Sequence, residues 1–221
     1  MRSTRAGAFK SYTVPVLEAV FGTSGRLEEL SVSGMTDLQI VHEALRDEGY
    51  TAEQIRGRVR ELRAVYMREM ERACRGEQLF QALPGAREAL EATAAHTLYF
   101  NSLLTGNIEP AARLKLGAVG LSDYFQLPGA FGDDSHDRRD LPALAAQRIR
   151  RRLKLDLSPA QFVVIGDTPN DIACAKHFGA RVLAVATGRA HGVEQLLAHG
   201  PDAVLPDLTD TELLMRTLES L

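Results

Sequence analysis

Residues 162–172 read Phe-Val-Val-Ile-Gly-Asp-Thr-Pro-Asn-Asp-Ile and set two carboxylates, Asp167 and Asp171, in one short turn. No cationic residue stands between them in sequence, and such a pair suits a hard divalent cation such as magnesium. The elements that must position them follow from their neighbours. Phe162 to Ile165 form an unbroken apolar run, the pattern of a parallel strand covered on both faces. Gly166 ends the run, and Pro169 fits the first turn of a following helix. The turn is therefore expected at the carboxyl end of a central strand, where open α/β sheets bind their ligands. Helix capping by Asp167 or Thr168 is the alternative, but a cap needs one such residue and this turn supplies several.

A second turn, Ser102-Leu103-Leu104-Thr105-Gly106-Asn107, closes the apolar stretch that starts at Thr97. Thr105 offers a hydroxyl, Gly106 lets the backbone turn closely, and Asn107 can cap a helix containing Pro110. Backbone N–H groups at such a helix start form a phosphate site. A third stretch, Phe131 to Asp140, carries Asp133, Asp134, Asp137 and Asp140 with Arg138 and Arg139. Arg138 is the candidate cation for neutralising a bound phosphate. Arg139 reads as part of a solvated, charged loop.

Around these turns the pattern changes character near Pro84. Before it only helices are expected, over Tyr12–Phe21, Thr36–Asp47 and Ala52–Ala73, from apolar residues at three- and four-residue spacing. After it, strands over 97–104, 162–165, 181–186 and 203–205 alternate with helices over 86–95, 109–119, 141–152, 171–178, 193–198 and 209–221. Alternation of this kind implies an α/β fold with a parallel sheet. The expected domains are a helical segment over 1–82 and an α/β core over 83–221. A net charge of −3 gives no case for nucleic acid or an acidic membrane surface. Two isolated cysteines, Cys74 and Cys174, form neither a disulfide framework nor a zinc site, which points to a reducing cytoplasm. Cys174 and His177 read as packing residues of the helix behind the acidic turn. No apolar run approaches the roughly 20 residues of a membrane span, and no signal peptide is evident.

The three turns in this order resemble the haloacid dehalogenase superfamily of phosphatases, with a helical cap before Pro84 and a Rossmann-like core after it. The resemblance implies that Thr105, with Gly106 and Asn107, binds a phosphoryl group and that Arg138 stabilises it. It implies that Asp167 ligates Mg2+ directly, with Asp171 nearby or acting through water. It further implies a small phosphorylated substrate of the phosphoglycolate kind, hydrolysed through an aspartyl-phosphate. Thr36 and Asp37, in Gly34-Met35-Thr36-Asp37, fall where such caps select substrate, although helix N-capping is the reading their residue types favour.

The family's first motif, Asp-x-Asp-x-Thr on a central strand, has no counterpart in this sequence. No two aspartates are separated by one residue, and the first aspartate is Asp37. The expected consequence is a chain without its nucleophile, hence inactive as written. A second consequence is a slot between the strands ending at Thr105 and at Ile165, edged by unpaired backbone groups. A start codon assigned too late is the favoured explanation, ahead of a truncation and of a pseudoenzyme. Rival functions are a non-catalytic binding protein, a haloacid dehalogenase, which would not need both Asp167 and Asp171, and a phosphate-accepting receiver domain, which would lack the long helical segment.

Overall fold

The computed structural model describes residues 2–3, 8–75, 78–188 and 191–221. Contacts group the chain into two compact units. One holds Met1–Gln81, Thr105–Gly120 and Phe131–His136, and the other holds Ala82–Leu104, Leu121–Ala130 and Asp137–Leu221. The first unit draws in two segments that lie beyond residue 82 in the chain. The cause is apolar: Ile108 and Ala111 are fully buried members of the helical core, so their helix packs with it.

The first unit contains helices α1 (Ala8–Phe21), α2 (Asp37–Ala44), α3 (Ala52–Gly57), α4 (Val59–Ala73) and α6 (Glu109–Ala118). Strands β1 (Arg2–Ser3) and β2 (Phe80–Gln81) pair antiparallel within it. This ladder was not expected, because two-residue strands are too short to show a period. Leu17, Leu27, Leu45, Leu62 and Met70 are buried in one core. Tyr12 and Tyr66 meet edge-to-face at 5.5 Å, the geometry the ring quadrupoles favour. The single helix expected over Ala52–Ala73 is two helices that break at Arg58, whose φ/ψ of −99°/5° is not helical. Gly57 weakens the helix there, and the break lets the Arg58 guanidinium donate to Val20 O.

The second unit contains α5 (Ala86–Ala95), α7 (Leu141–Leu153), β3 (Val163–Gly166), α8 (Pro169–Phe178), β4 (Arg181–Val185), α9 (Val193–Leu197), β5 (Ala203–Leu205) and α10 (Thr211–Ser220). The three strands form a parallel sheet in the order β3-β4-β5. Val182, Leu183 and Ala184 of β4 are fully buried, as a strand covered on both faces must be. Gly179, at φ 84°, closes α8 in the left-handed conformation open to glycine. The α/β class with a parallel sheet is thus the architecture observed.

Two strand expectations are corrected. Residues 97–104 form no regular strand; a parallel bridge joins Leu104 to Ala130, Ala130 N–H donates to Leu103 O at 2.9 Å, Leu127 N–H donates to Asn101 O at 3.4 Å and the Ser102 hydroxyl donates to Pro128 O at 2.9 Å. Strand β3 is an edge of its sheet rather than a central strand, with Ile165 44% exposed. Both corrections have one cause: a ladder needs a neighbour's N–H and C=O groups, and no described strand lies beside either segment. What lies there is an apolar groove within the second unit. Its two contiguous hollows, about 340 Å³ each, are lined by Phe100–Leu104 on one side and Phe162–Ile165 on the other. Leu98 and Phe100 are 78% and 65% exposed beside it.

Candidate active site

The acidic turn is built by strand β3 and helix α8. Thr168 is the N-cap of α8, with its hydroxyl accepting from Asp171 N–H. Asp171 answers from the first helical turn. Its Oδ2 accepts from Asp167 N–H at 3.1 Å, Thr168 N–H at 3.0 Å and Thr168 Oγ1 at 2.8 Å. Its Oδ1 accepts from Arg138 Nη2 at 2.5 Å. Both Asp171 oxygens are therefore committed to the protein, and of the two residues in the capping alternative it is Thr168 that caps the helix.

Asp167 is in a different state. No hydrogen bond from another described residue reaches its carboxylate, and Gly188 lies against it so closely that a Cβ there would stand 3.0 Å from Oδ2. Burial pushes the Asp167 carboxyl above the usual carboxylate range, and repulsion from Asp171 pushes it further. A buried carboxylate raised by a second negative charge is one that a cation would stabilise. Among the described residues no cluster of three or more His, Cys, Asp or Glu side chains forms a metal site. Magnesium does not require one, because it keeps several waters and is commonly held by one or two carboxylates together with phosphate oxygens. The Asp167 carboxylate is of the kind that fits Mg2+.

Of the two candidate arginines, Arg138 alone reaches this turn. Its side chain is 13% exposed, whereas that of Arg139 is 60% exposed and pairs with Asp137. Cys174 is fully buried with its thiol pushed up to about 11, chiefly by burial, so it packs rather than reacts.

Thr105, Gly106 and Asn107 lie in the first unit, at the start of α6. Asn107 donates through its backbone N–H and its Nδ2 to Thr105 Oγ1, at 3.2 and 2.8 Å. The amides that follow are not open, because Ile108 N–H donates to Asp37 Oδ2 at 2.8 Å and Glu109 N–H to Asp133 Oδ1 at 3.2 Å. The helix start expected to offer free N–H groups is, at those two positions, filled by carboxylates of the chain. Thr36 is completely buried and caps α2 through Gln39 N–H at 3.0 Å, and Asp37 is 5% exposed. The N-cap reading of Thr36 holds, and neither residue presents an exposed polar atom to a substrate.

Sequence reasoning missed Lys115, Asp133 and Arg63. Lys115 donates to Asn107 Oδ1, and Arg63 pairs with Asp133 Oδ2. For Lys115 a signal existed: it falls on the apolar stripe Ile108, Ala111, Ala112, Leu116 of α6, where a lysine must have a buried partner. Burial pushes Asp37 from its ordinary 3.8 up to about 6, offset in part by Lys115, which burial in turn pulls down. A raised carboxyl stabilises the fold fully below its unfolded value and loses that contribution as pH rises through the folded value. Relative to wild type, Asp37→Asn should therefore gain stability by about 2 kcal/mol between pH 4 and pH 7. Urea denaturation at the two pH values measures this difference, and equal pH slopes for the two proteins would contradict it.

Comparison with known proteins agrees with this fold and this turn. Residues 139–211, which contain the acidic turn and its sheet, match the HAD-hydrolase-like family. A phosphoglycolate phosphatase of Yersinia pestis is 30% identical over 134 residues, which is 61% of this chain and 55% of that protein. The chain thus spans about half the length of the curated relative it matches. In fold it is similar to a haloacid dehalogenase-like family protein from Streptococcus pneumoniae, with a TM-score of 0.56 at 18% identity, covering 95% of this chain and 90% of the other. It is also similar to CbbY from Rhodobacter sphaeroides, solved with xylulose-1,5-bisphosphate, with a TM-score of 0.66 at 15% identity over 95% and 91% of the two chains. Residues 139–211 thus match a HAD-hydrolase-like model, and the fold is similar to that of haloacid dehalogenase-like proteins. The sequence is similar over part of its length to a phosphoglycolate phosphatase.

Proposed function

We propose that this chain is the cap and core of a magnesium-dependent phosphomonoester hydrolase acting on a small phosphorylated metabolite. The observation that carries the reading is the asymmetry of the acidic turn. Asp171 is spent on Arg138, Thr168 and the backbone, which leaves Asp167 as the one carboxylate of the pair open to a cation. When bound there, Mg2+ would offset the repulsion between an anionic nucleophile and an anionic phosphate. Arg138 holds Asp171 in place and keeps positive charge beside the turn. The Thr105–Gly106–Asn107 turn of the first unit is read in its own right as a phosphoryl-binding element, with the Thr105 hydroxyl as donor.

The nucleophile is not among these 221 residues, since no Asp-x-Asp pair occurs in them. The reading therefore includes a strand that bears this pair and lies in the groove between Phe100–Leu104 and Phe162–Ile165. The chain by itself is expected to bind but not to turn over substrate. A phosphoglycolate-like acid is the substrate class, supported by the Yersinia relative and by the small-phosphoester resemblance.

Calorimetric titration of Mg2+ with and without inorganic phosphate tests the reading. Phosphate should raise Mg2+ affinity about tenfold, because each ligand neutralises charge that the other brings. Asp167→Asn should abolish that coupling. Independent binding of the two ions, or coupling that survives the substitution, would overturn it.

A further inference from the structure

The start of α6 is held by carboxylates from elsewhere in the chain, and this fixes what the turn before it can do. Asp37 accepts from Ile108 N–H and gives its own N–H to Gly106 O at 2.6 Å. Asp133, with a side chain 1% exposed, accepts from Glu109 N–H and from the Arg63 guanidinium. Between them, Gly132 N–H donates to Asn107 O at 2.7 Å. Gly132 admits no side chain there, since a Cβ would collide with Gly106 O and stand 3.0 Å from Asp37 N. Lys115 fixes Asn107 through its Oδ1, and Asn107 fills Thr105 Oγ1 with two donated bonds. A hydroxyl has two acceptor sites and one donor. With both acceptor sites used, the Thr105 hydroxyl has its hydrogen left to give.

We propose that Asp37 and Asp133 are positioning residues that lock the Thr105–Gly106–Asn107 turn so that the Thr105 hydroxyl faces outward as a hydrogen-bond donor. This rests on the reading of that turn as the phosphoryl-holding element. Neither carboxylate touches the phosphoryl group. Two negative charges beside an anion site would weaken it if charge were their purpose. The groups facing them limit that cost: Lys115 from α6 and Arg63 from α4 are cationic, and Tyr12 and Tyr66 are held neutral chiefly by burial.

Amide NMR of the 221-residue chain, with inorganic phosphate as the probe, tests the lock. Asp37→Ala should lower exchange protection at Thr105, Gly106 and Asn107 about tenfold and weaken phosphate binding by a similar factor. Asp37→Asn keeps an acceptor for Ile108 N–H and should restore both. In wild type the Ile108 amide should titrate with a midpoint near the Asp37 value of about 6, and this titration should vanish in Asp37→Asn. A folded Asp37→Ala protein with wild-type protection and wild-type phosphate affinity would overturn the proposal. If Asp37→Ala does not fold, the wild-type Ile108 titration decides, and its absence overturns the proposal equally. Failure of wild type to shift its Thr105 amide with phosphate would sink the functional reading instead. The lock is still read in that case from exchange rates without phosphate.

Discussion

Adding an apolar strand that ends Asp-x-Asp-x-Thr to this chain should convert it from an inert protein into a magnesium-dependent phosphatase. The same addition should raise its melting temperature by about 10 °C. The groove of the second unit exposes Leu98, Phe100 and Ile165, and burying such side chains is worth roughly 1.5–3 kcal/mol each. The incoming strand's own burial and ladder bonds offset its ordering cost of about 1–2 kcal/mol per residue. A net gain near 3 kcal/mol corresponds to about 10 °C for a domain of this size. Replacing the first aspartate of the added strand by Asn should keep the thermal gain and cost at least about 10³-fold in turnover, or about 4 kcal/mol of barrier. Scanning calorimetry and a phosphate-release assay read the two effects separately. An extended protein with unchanged Tm and no turnover would show that the groove does not take this strand.

Gly166→Ala should damage both the stability of the second unit and its acidic turn. A Cβ at Gly166 would collide with Asp171 Cβ and Cγ and stand 2.6 Å from Oδ2. Asp171 cannot move aside, because Arg138, Thr168 and two backbone amides hold it in place and its residue is 6% exposed. Relief requires the turn to open and the Arg138–Asp171 pair to part, and breaking a buried pair typically costs 3–5 kcal/mol. A Tm fall of about 10 °C and loss of magnesium binding are expected together. A variant within about 1 kcal/mol of wild type that still binds magnesium would mean that the turn is looser than its hydrogen bonds indicate.

The local rules of the chain were legible where one segment carries its own instructions. Ala86–Ala95 was read to the residue, and the Gly-Asp-Thr-Pro-Asn-Asp turn was placed between a strand and a helix, as observed. What escaped depended on partners distant in sequence. Asp37 lies 71 residues from the amide it caps, and nothing in Gly34-Met35-Thr36-Asp37 says that Ile108 will be there. The choice between Arg138 and Arg139 rests on which side chain faces Asp171 across 33 residues. The open side of β3 was anticipated as a slot beside the strand ending at Ile165, because the absent motif implied it. Phe162–Ile165 is composed for a strand covered on both faces, and that composition anticipates a neighbour the described residues do not supply.

The central claim is that Asp167, left open because Asp171 is spent on its own turn, is the carboxylate that takes the cation. Carboxyl carbon NMR during a magnesium titration tests this directly. The account predicts that the Asp167 Cγ resonance moves saturably with Mg2+ while that of Asp171 stays close to its starting position. Movement of Asp171 with Asp167 unmoved, or of neither, would contradict it.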